Sequence, residues 1–260
     1  MTGNVLMTFR HFTPAPPLNQ LIGHRGIAAL APENTMASFR LAASQNVNWV
    51  EFDVRLTKDS ELVIFHDDTL ERTTNGKGTV YEHNLRELLV LDAGSWFSPQ
   101  FVGEKIPVFG DVLTQFFDLG LHCNIEMKFP SQPGARHIET LATKLCQILA
   151  QQWPATQPLP LVSSFEWEAL AIVRQTFPHI PIGFLTAHCT QDLITDVAKT
   201  PNAALHCDYL SLTTELLAIA NDAGVPILAY TVNEASVASH LFNQRVFGLF
   251  SDNPIALRGA

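Results

Sequence analysis

Glu51 and Asp53 alternate with the apolar residues Val50, Phe52 and Val54. A strand has a period of two, so both carboxylates point to one face. Two acids aimed inward at the centre of a strong β run repel each other and lose hydration, which raises their pKa values unless a cation sits between them. Carboxylate oxygens are hard ligands, suited to Mg²⁺ or Ca²⁺. A second β run, Val63-Ile64-Phe65-His66, follows after the turn-forming Lys58-Asp59-Ser60-Glu61. With Asp59-Ser60 as a two-residue hairpin loop, residue 58 pairs with 61, 54 with 65 and 53 with 66. His66 is then expected directly across from Asp53 on the same face.

Two further runs repeat this chemistry. In His122-Cys123-Asn124-Ile125-Glu126-Met127-Lys128, the side chains of Asn124, Glu126 and Lys128 share a face. Leu21-Ile22-Gly23 ends in His24-Arg25-Gly26, a charged glycine turn. Sorted by chemistry, Glu51, Asp53 and Glu126 can hold one hard divalent cation. Arg25 and Lys128 can hold an anion beside it, and His24 and His66 can move protons near neutral pH. A cation, fixed positive charges and two histidines together suit phosphoryl transfer, where positioning and charge neutralisation dominate.

The elements that must position these groups alternate along the chain. Helical patterns are expected over 36–45, 107–118, 135–151, 166–176, 191–199, 213–222 and 234–243. Strands are expected near 21–22, 50–54, 62–66, 122–128, 159–164, 180–185, 205–210, 225–231 and 247–251. Regular βα alternation in one domain of this size predicts a (β/α)8 TIM-type barrel, whose chemistry sits at the C-terminal ends of its strands. Nine β runs are one too many for eight staves, and the hairpin reading removes the run at 61–66 from the barrel wall. A doubly wound open sheet is the alternative, but neither a G-x-G-x-x-G nor a G-x-x-x-x-G-K-[ST] motif supports it. Residues 67–106 are too long for an ordinary connection and are expected to form a small insertion or lid after the third β run. Residues 1–19 are expected to be an extended leader and 20–260 the catalytic domain.

The 260 residues are 47% hydrophobic and 16% charged, with a net charge of −9. This is a globular composition, and its acidic balance argues against nucleic acid as a partner. The four cysteines, Cys123, Cys146, Cys189 and Cys207, contain no C-x-x-C pair and are expected to be buried free thiols. Without a long apolar run or a signal-peptide pattern, no stable membrane insertion and a cytoplasmic location are expected. The sequence does not specify an oligomeric state.

His24-Arg25-Gly26, Pro32-Glu33-Asn34-Thr35, Glu51-x-Asp53, His66-Asp67-x-x-Leu70-x-Arg72-Thr73-Thr74-x-Gly76-x-Gly78 and Glu126-x-Lys128 resemble the motifs of the glycerophosphodiester phosphodiesterase family, small cytoplasmic bacterial type. Tyr230-Thr231-Val232-Asn233 and Ser251-Asp252-x-Pro254 resemble its two late motifs, so the match runs in order from about residue 20 to 256. The resemblance implies a (β/α)8 barrel with a small insertion. It also implies a small-molecule substrate: hydrolysis of glycerophosphocholine, glycerophosphoethanolamine and similar diesters to sn-glycerol 3-phosphate and an alcohol. It implies Mg²⁺ or Ca²⁺ on Glu51, Asp53 and Glu126, His24 and His66 as the acid–base pair, and Arg25 and Lys128 on the phosphate. Tyr230 stands where the family often has Trp and leaves a ring for the substrate pocket. Ser60 stands where Gly is common in the hairpin turn. Which histidine acts first, and whether water or the glycerol 2-hydroxyl attacks, are both left open. A lysophospholipid-cleaving relative and a non-catalytic binding protein on the same fold are the competing readings; the latter would be expected to lack a ligand or a histidine, and none is missing.

Overall fold

In a computed structural model that describes Phe12 and residues 21–259, strands and helices alternate much as the patterns predict. The first half carries β1 (Leu21–Gly23), α1 (Met36–Ser44), β2 (Trp49–Leu56), β3 (Leu62–Ile64), α2 (Leu85–Leu88), α3 (Phe109–Leu119), β4 (His122–Met127) and α4 (Ala135–Gln152). The second half carries β5 (Leu161–Ser164), α5 (Trp167–Thr176), β6 (Ile182–Thr186), α6 (Gln191–Ala198), β7 (Ala203–Asp208), α7 (Thr214–Ala223), β8 (Ile227–Tyr230), α8 (Ala235–Asn243) and β9 (Gly248–Ser251). The leader expected over 1–19 lies, Phe12 apart, outside the described residues.

The parallel strands run β1, β2, β4, β5, β6, β7, β8, β9 around a ring, and β1 pairs with both β2 and β9, which closes it. This is a TIM-type (β/α)8 barrel. β3 pairs antiparallel with β2 and stands outside the ring, so the surplus β run is indeed a hairpin arm.

β2 is buried along its whole length, and its period of two separates two environments. Val50, Phe52, Val54 and Leu56 pack outward under the helices, where Phe52 meets Phe39, Phe109 and Phe116 at ring-centroid distances of 5.7, 6.2 and 5.3 Å. Trp49, at the opposite end from the site, joins Phe12, Ile22, Leu161, Ala204, Leu228 and Phe250 in a separate apolar cluster that fills the barrel floor. Burying each such side chain contributes about 1.5–3 kcal/mol, and the floor leaves the polar residues above it no route to water from below. His206 on β7 faces the barrel interior. It is fully buried against Phe250, and burial pushes its imidazole down to about 3. A Cβ at Gly183 would fall 2.2 Å from the His206 ring, so only glycine admits that ring. Gly183→Ala is therefore expected to cost about 1–3 kcal/mol by overpacking, read as a lower denaturant midpoint. An unchanged midpoint would show that the ring can move aside.

The hairpin register departs from expectation by one residue. Val54 pairs with Ile64, Arg55 with Val63 and Leu56 with Leu62, and the Phe65 N–H donates to the Asp53 carbonyl at 3.0 Å. Asp53 thus lies opposite Phe65, not His66. The cause is a three-residue loop over 58–60 in place of the two-residue loop. Ser60 takes a left-handed φ of 62°, and the Thr57 N–H donates to the Glu61 carbonyl at 2.9 Å. A slip of one residue would put His66 on the wrong face if the strand continued. β3 ends at Ile64 instead, and the Arg55 Nε donates to the His66 carbonyl at 2.8 Å, holding the turned chain.

Residues 67–106 pack over this turn. Their apolar side chains Leu70, Val80, Leu88, Ala93 and Ile106 close a small core around Val63 and Phe65. The cysteines are all free and buried. No helix among the described residues is long and apolar enough to cross a membrane.

Candidate functional site

A cavity of about 310 Å³ opens at the C-terminal ends of the barrel strands. His24, Arg25, Glu51, His66, Glu126, Lys128 and Tyr230 all line it, so seven of the eight residues singled out in the sequence meet there. Asp53, the eighth, lies just beneath, within ion-pair distance of Arg25 and Lys128.

The turn after β1 is built to expose two side chains. The His24 N–H donates to the Ser251 carbonyl on β9 at 2.8 Å, and Arg25 takes a φ of 52°. Gly26, at φ 90°, presses against Ser38, where a Cβ would come within 2.2 Å of the hydroxyl. That hydroxyl accepts from the Ile27 N–H at 2.7 Å and donates to the Arg25 carbonyl at 3.1 Å. The His-Arg-Gly order therefore follows from a turn pinned to α1.

β2 and β4 are neighbours in register, with Asp53 beside Glu126. That pairing brings the three acids together: a carboxylate oxygen of Glu51, Asp53 and Glu126 can be chosen so that all three lie within 4.8 Å of one another. All three are buried. Burial, together with repulsion from Asp53 and Glu126, holds the Glu51 carboxyl well above the usual carboxylate range. Burial and Asp53 likewise raise Glu126, although Lys128 opposes them. Burial also works against ionised Asp53, but Lys128, His66, Arg25 and the Asn34 amide outweigh it and bring its pKa below the ordinary value. Asn34 donates to Asp53 Oδ2 at 2.8 Å, and Lys128 Nζ lies 2.7 Å from Glu126 Oε1. Glu51 Oε2 accepts the Arg25 N–H at 2.9 Å, whereas its buried Oε1 accepts no hydrogen bond among the described residues. A hard divalent cation fits this set: three convergent carboxylates, one with an orphaned oxygen and a raised pKa, are what its charge would relieve.

Each histidine is oriented by a carboxylate. His24 Nδ1 lies 2.6 Å from Asp252 Oδ1, and His66 Nδ1 lies 2.6 Å from Asp67 Oδ1. An ionised carboxylate only accepts, so Nδ1 carries the proton in both rings and Nε2 is left for the cavity. Burial pushes His66 down to about 4, with Asp53 opposing and Lys128 and Arg25 adding to the shift, so the ring is neutral at pH 7. Asn233 in turn donates to Asp252 Oδ2 at 2.7 Å. Tyr230 donates its hydroxyl to the Thr186 carbonyl at 2.8 Å, which leaves its ring as cavity wall beside Phe165.

Arg25 and Lys128 are each paired with the acids while also facing the cavity, so the structural and anion-binding readings of both coexist. Trp96 and Phe97 do not line the cavity; they stack edge to face on each other within the insertion at 5.6 Å. Six further residues support these groups: Glu33, Asn34, Asp67, Arg72, Asn233 and Asp252. All six stand in the motifs quoted from the sequence, but what each one holds was not legible there, apart from Asp67, which adjoins His66. Asp252 is 228 residues from His24 and carried no local signal of that partner.

The family model described as the glycerophosphoryl diester phosphodiesterase family matches residues 24–256. A glycerophosphodiester phosphodiesterase of Bacillus subtilis is 33% identical over 90% of this chain and 83% of its own length. Another from Caldanaerobacter subterraneus is 32% identical, over 91% of this chain and 95% of its own length. A solved phosphodiesterase structure from Oleispira antarctica, in complex with its product sn-glycerol-3-phosphate, superposes with a TM-score of 0.86 at 36% identity, covering 93% of this chain and 96% of its own.

Proposed function

Because the chain belongs to the glycerophosphoryl diester phosphodiesterase family and is a phosphodiester hydrolase, we propose that it hydrolyses glycerophosphodiesters such as glycerophosphocholine and glycerophosphoethanolamine to sn-glycerol 3-phosphate and the free alcohol. The observation that carries this reading is the convergence of three buried acids, two carboxylate-oriented histidines and two cations on one cavity.

Glu51, Asp53 and Glu126 would hold one divalent cation, Mg²⁺ or Ca²⁺, whose charge, when bound, offsets the charge that builds on the phosphoryl oxygens. Arg25 and Lys128 bind the phosphate and fix its orientation. The His66 Nε2, neutral at working pH, takes a proton from the attacking hydroxyl, either water or the substrate's own 2-hydroxyl. His24 enters the step protonated on both nitrogens, with Nδ1–H held by Asp252, and gives its Nε2 proton to the departing alkoxide as the alcohol's bond to phosphorus breaks. Where the 2-hydroxyl attacks, the cyclic phosphate so formed is opened by water in a second step, in which His24 takes the water's proton and His66 returns its own to the 2-oxygen. Asp67 and Asp252 hold the two rings with Nε2 toward the substrate. The Tyr230 ring packs against the substrate from β8.

The direct test is to incubate the purified protein with glycerophosphocholine and a divalent cation, with and without chelator, and to measure sn-glycerol 3-phosphate. Product release that chelator abolishes and added cation restores is expected. No product with any divalent cation would overturn the reading.

A further inference from the structure

Two parts of the site come from segments far apart in the chain and are joined through one side chain of the insertion. The Arg72 Nε and one terminal nitrogen donate to both oxygens of Asp67, at 2.6 and 2.8 Å. Its two terminal nitrogens donate to both oxygens of Glu33, at 2.8 and 2.7 Å. Asp67 holds the His66 ring, and Glu33 Oε1 also accepts from Arg25 at 2.7 Å. A planar guanidinium can fork to two carboxylates at once, which lysine cannot do.

We propose that Arg72 is a positioning residue that fixes His66 through Asp67 and ties it, through Glu33, to the phosphate-facing Arg25. The proposal rests on the reading of His66 as an acid–base group. Arg72 itself is not catalytic, because it is absent from the cavity lining.

The geometry separates this role from simple docking of the insertion. The insertion is already anchored by its apolar core on Val63 and Phe65, so it does not depend on Arg72 to stay in place. The two carboxylates also stand to lose different amounts. Without Arg72, Glu33 keeps its bond to Arg25, whereas Asp67 keeps only the His66 ring it is meant to orient. The loss therefore falls on the step that uses His66 more than on phosphate binding, and it appears in kcat rather than in KM. Arg55 holds the His66 backbone from the other side, through the carbonyl and through Asp68 at 2.6 Å, so the chain stays in place while the ring is freed.

The test uses Arg72→Met and Arg72→Lys in the full chain with divalent cation. Arg72→Met is expected to lower kcat about 10- to 100-fold, the range for lost support of an active group, with KM changed less than about threefold. Arg72→Lys, which keeps the charge but not the forks, is expected to recover only part of that loss. A second readout needs no substrate. The His66 imidazole ¹³Cε1–¹H correlation, assigned by its disappearance in His66→Gln, is expected to shift and broaden in both variants while that of His24 stays in place. An unmoved His66 correlation, or a kcat within about twofold of wild type in a variant that melts as wild type does, overturns the proposal. If Arg72→Met does not fold, Arg72→Lys decides by the same criteria. If the wild-type protein releases no sn-glycerol 3-phosphate, the functional reading fails and the His66 correlation still decides the role of Arg72.

Discussion

His66→Ala is expected to lower kcat for glycerophosphodiester hydrolysis by about 10³-fold while leaving cation affinity within a few-fold of wild type. General acid–base catalysis by one positioned group is worth roughly 10²–10⁴-fold, and nothing else in the cavity stands ready to replace this one. Asp67 is committed to Arg72, whose hydrogen bonds hold it down at about 2 despite partial burial, so it is a poor base. His24 is held toward Asp252 by the turn after β1. The proposed cation ligands are the three acids of β2 and β4, and other groups place them: Asn34 and Lys128 hold Asp53, Lys128 holds Glu126 and the Arg25 N–H holds Glu51. His24→Ala is expected to behave alike, with its loss greatest for substrates whose leaving alcohol is most basic. Steady-state kinetics together with a calorimetric cation titration would check both. Normal turnover in either variant would remove that histidine from the mechanism, and lost cation binding would make it a ligand instead.

Glu51→Gln should produce opposite effects on stability and on function. The folded protein without cation holds Glu51 above its ordinary pKa through burial and through repulsion from Asp53 and Glu126. A carboxylate whose folded pKa is raised costs stability as pH rises above its unfolded value, because the unfolded chain releases the proton first. That cost is absent below about pH 4, where both states are protonated. The neutral, nearly isosteric glutamine removes it. Cation-free Glu51→Gln is therefore expected to melt higher than wild type at pH 7 and to lose that advantage at about pH 4. Cation binding should fall by about 10²-fold or more, since even outer partners of a metal site are worth 10- to 100-fold, and turnover should fall with it. Added Mg²⁺ or Ca²⁺ should raise the melting temperature of wild type and not of the variant. A lower cation-free melting temperature at pH 7 would mean that Glu51 is a paired structural acid and not a strained ligand.

Much of this site is legible locally. The alternation of Glu51 and Asp53 with Val50, Phe52 and Val54 is enough to aim two acids inward, because side-chain direction in a strand depends only on parity. The same parity places Glu126 and Lys128 together, and the glycine after His24-Arg25 marks the turn that exposes them. The excess β run also resolves from the sequence, since a turn between 54 and 62 makes a hairpin whatever its exact length. Register is where local reasoning stopped. A two-residue type I′ loop needs positive φ at both Asp59 and Ser60; only Ser60 takes it, which fits the three-residue loop, and neither residue is a glycine that would have marked the choice in the sequence.

The sequence by itself determined the barrel, through its alternating strand and helix periods, and the facing of the three acids and Lys128, through strand parity; His24, Arg25 and His66 stood out by residue type and by their place close to strand ends. Only the tertiary structure decided what holds them. Closure of β1 against β9 is what sets Asp252 beside His24, across 228 residues, and the packing of the insertion on Val63 and Phe65 is what sets Arg72 between Glu33 and Asp67. These contacts join side chains on different elements, and their distances follow from how the ring closes and the insertion packs, a geometry that no local pattern encodes.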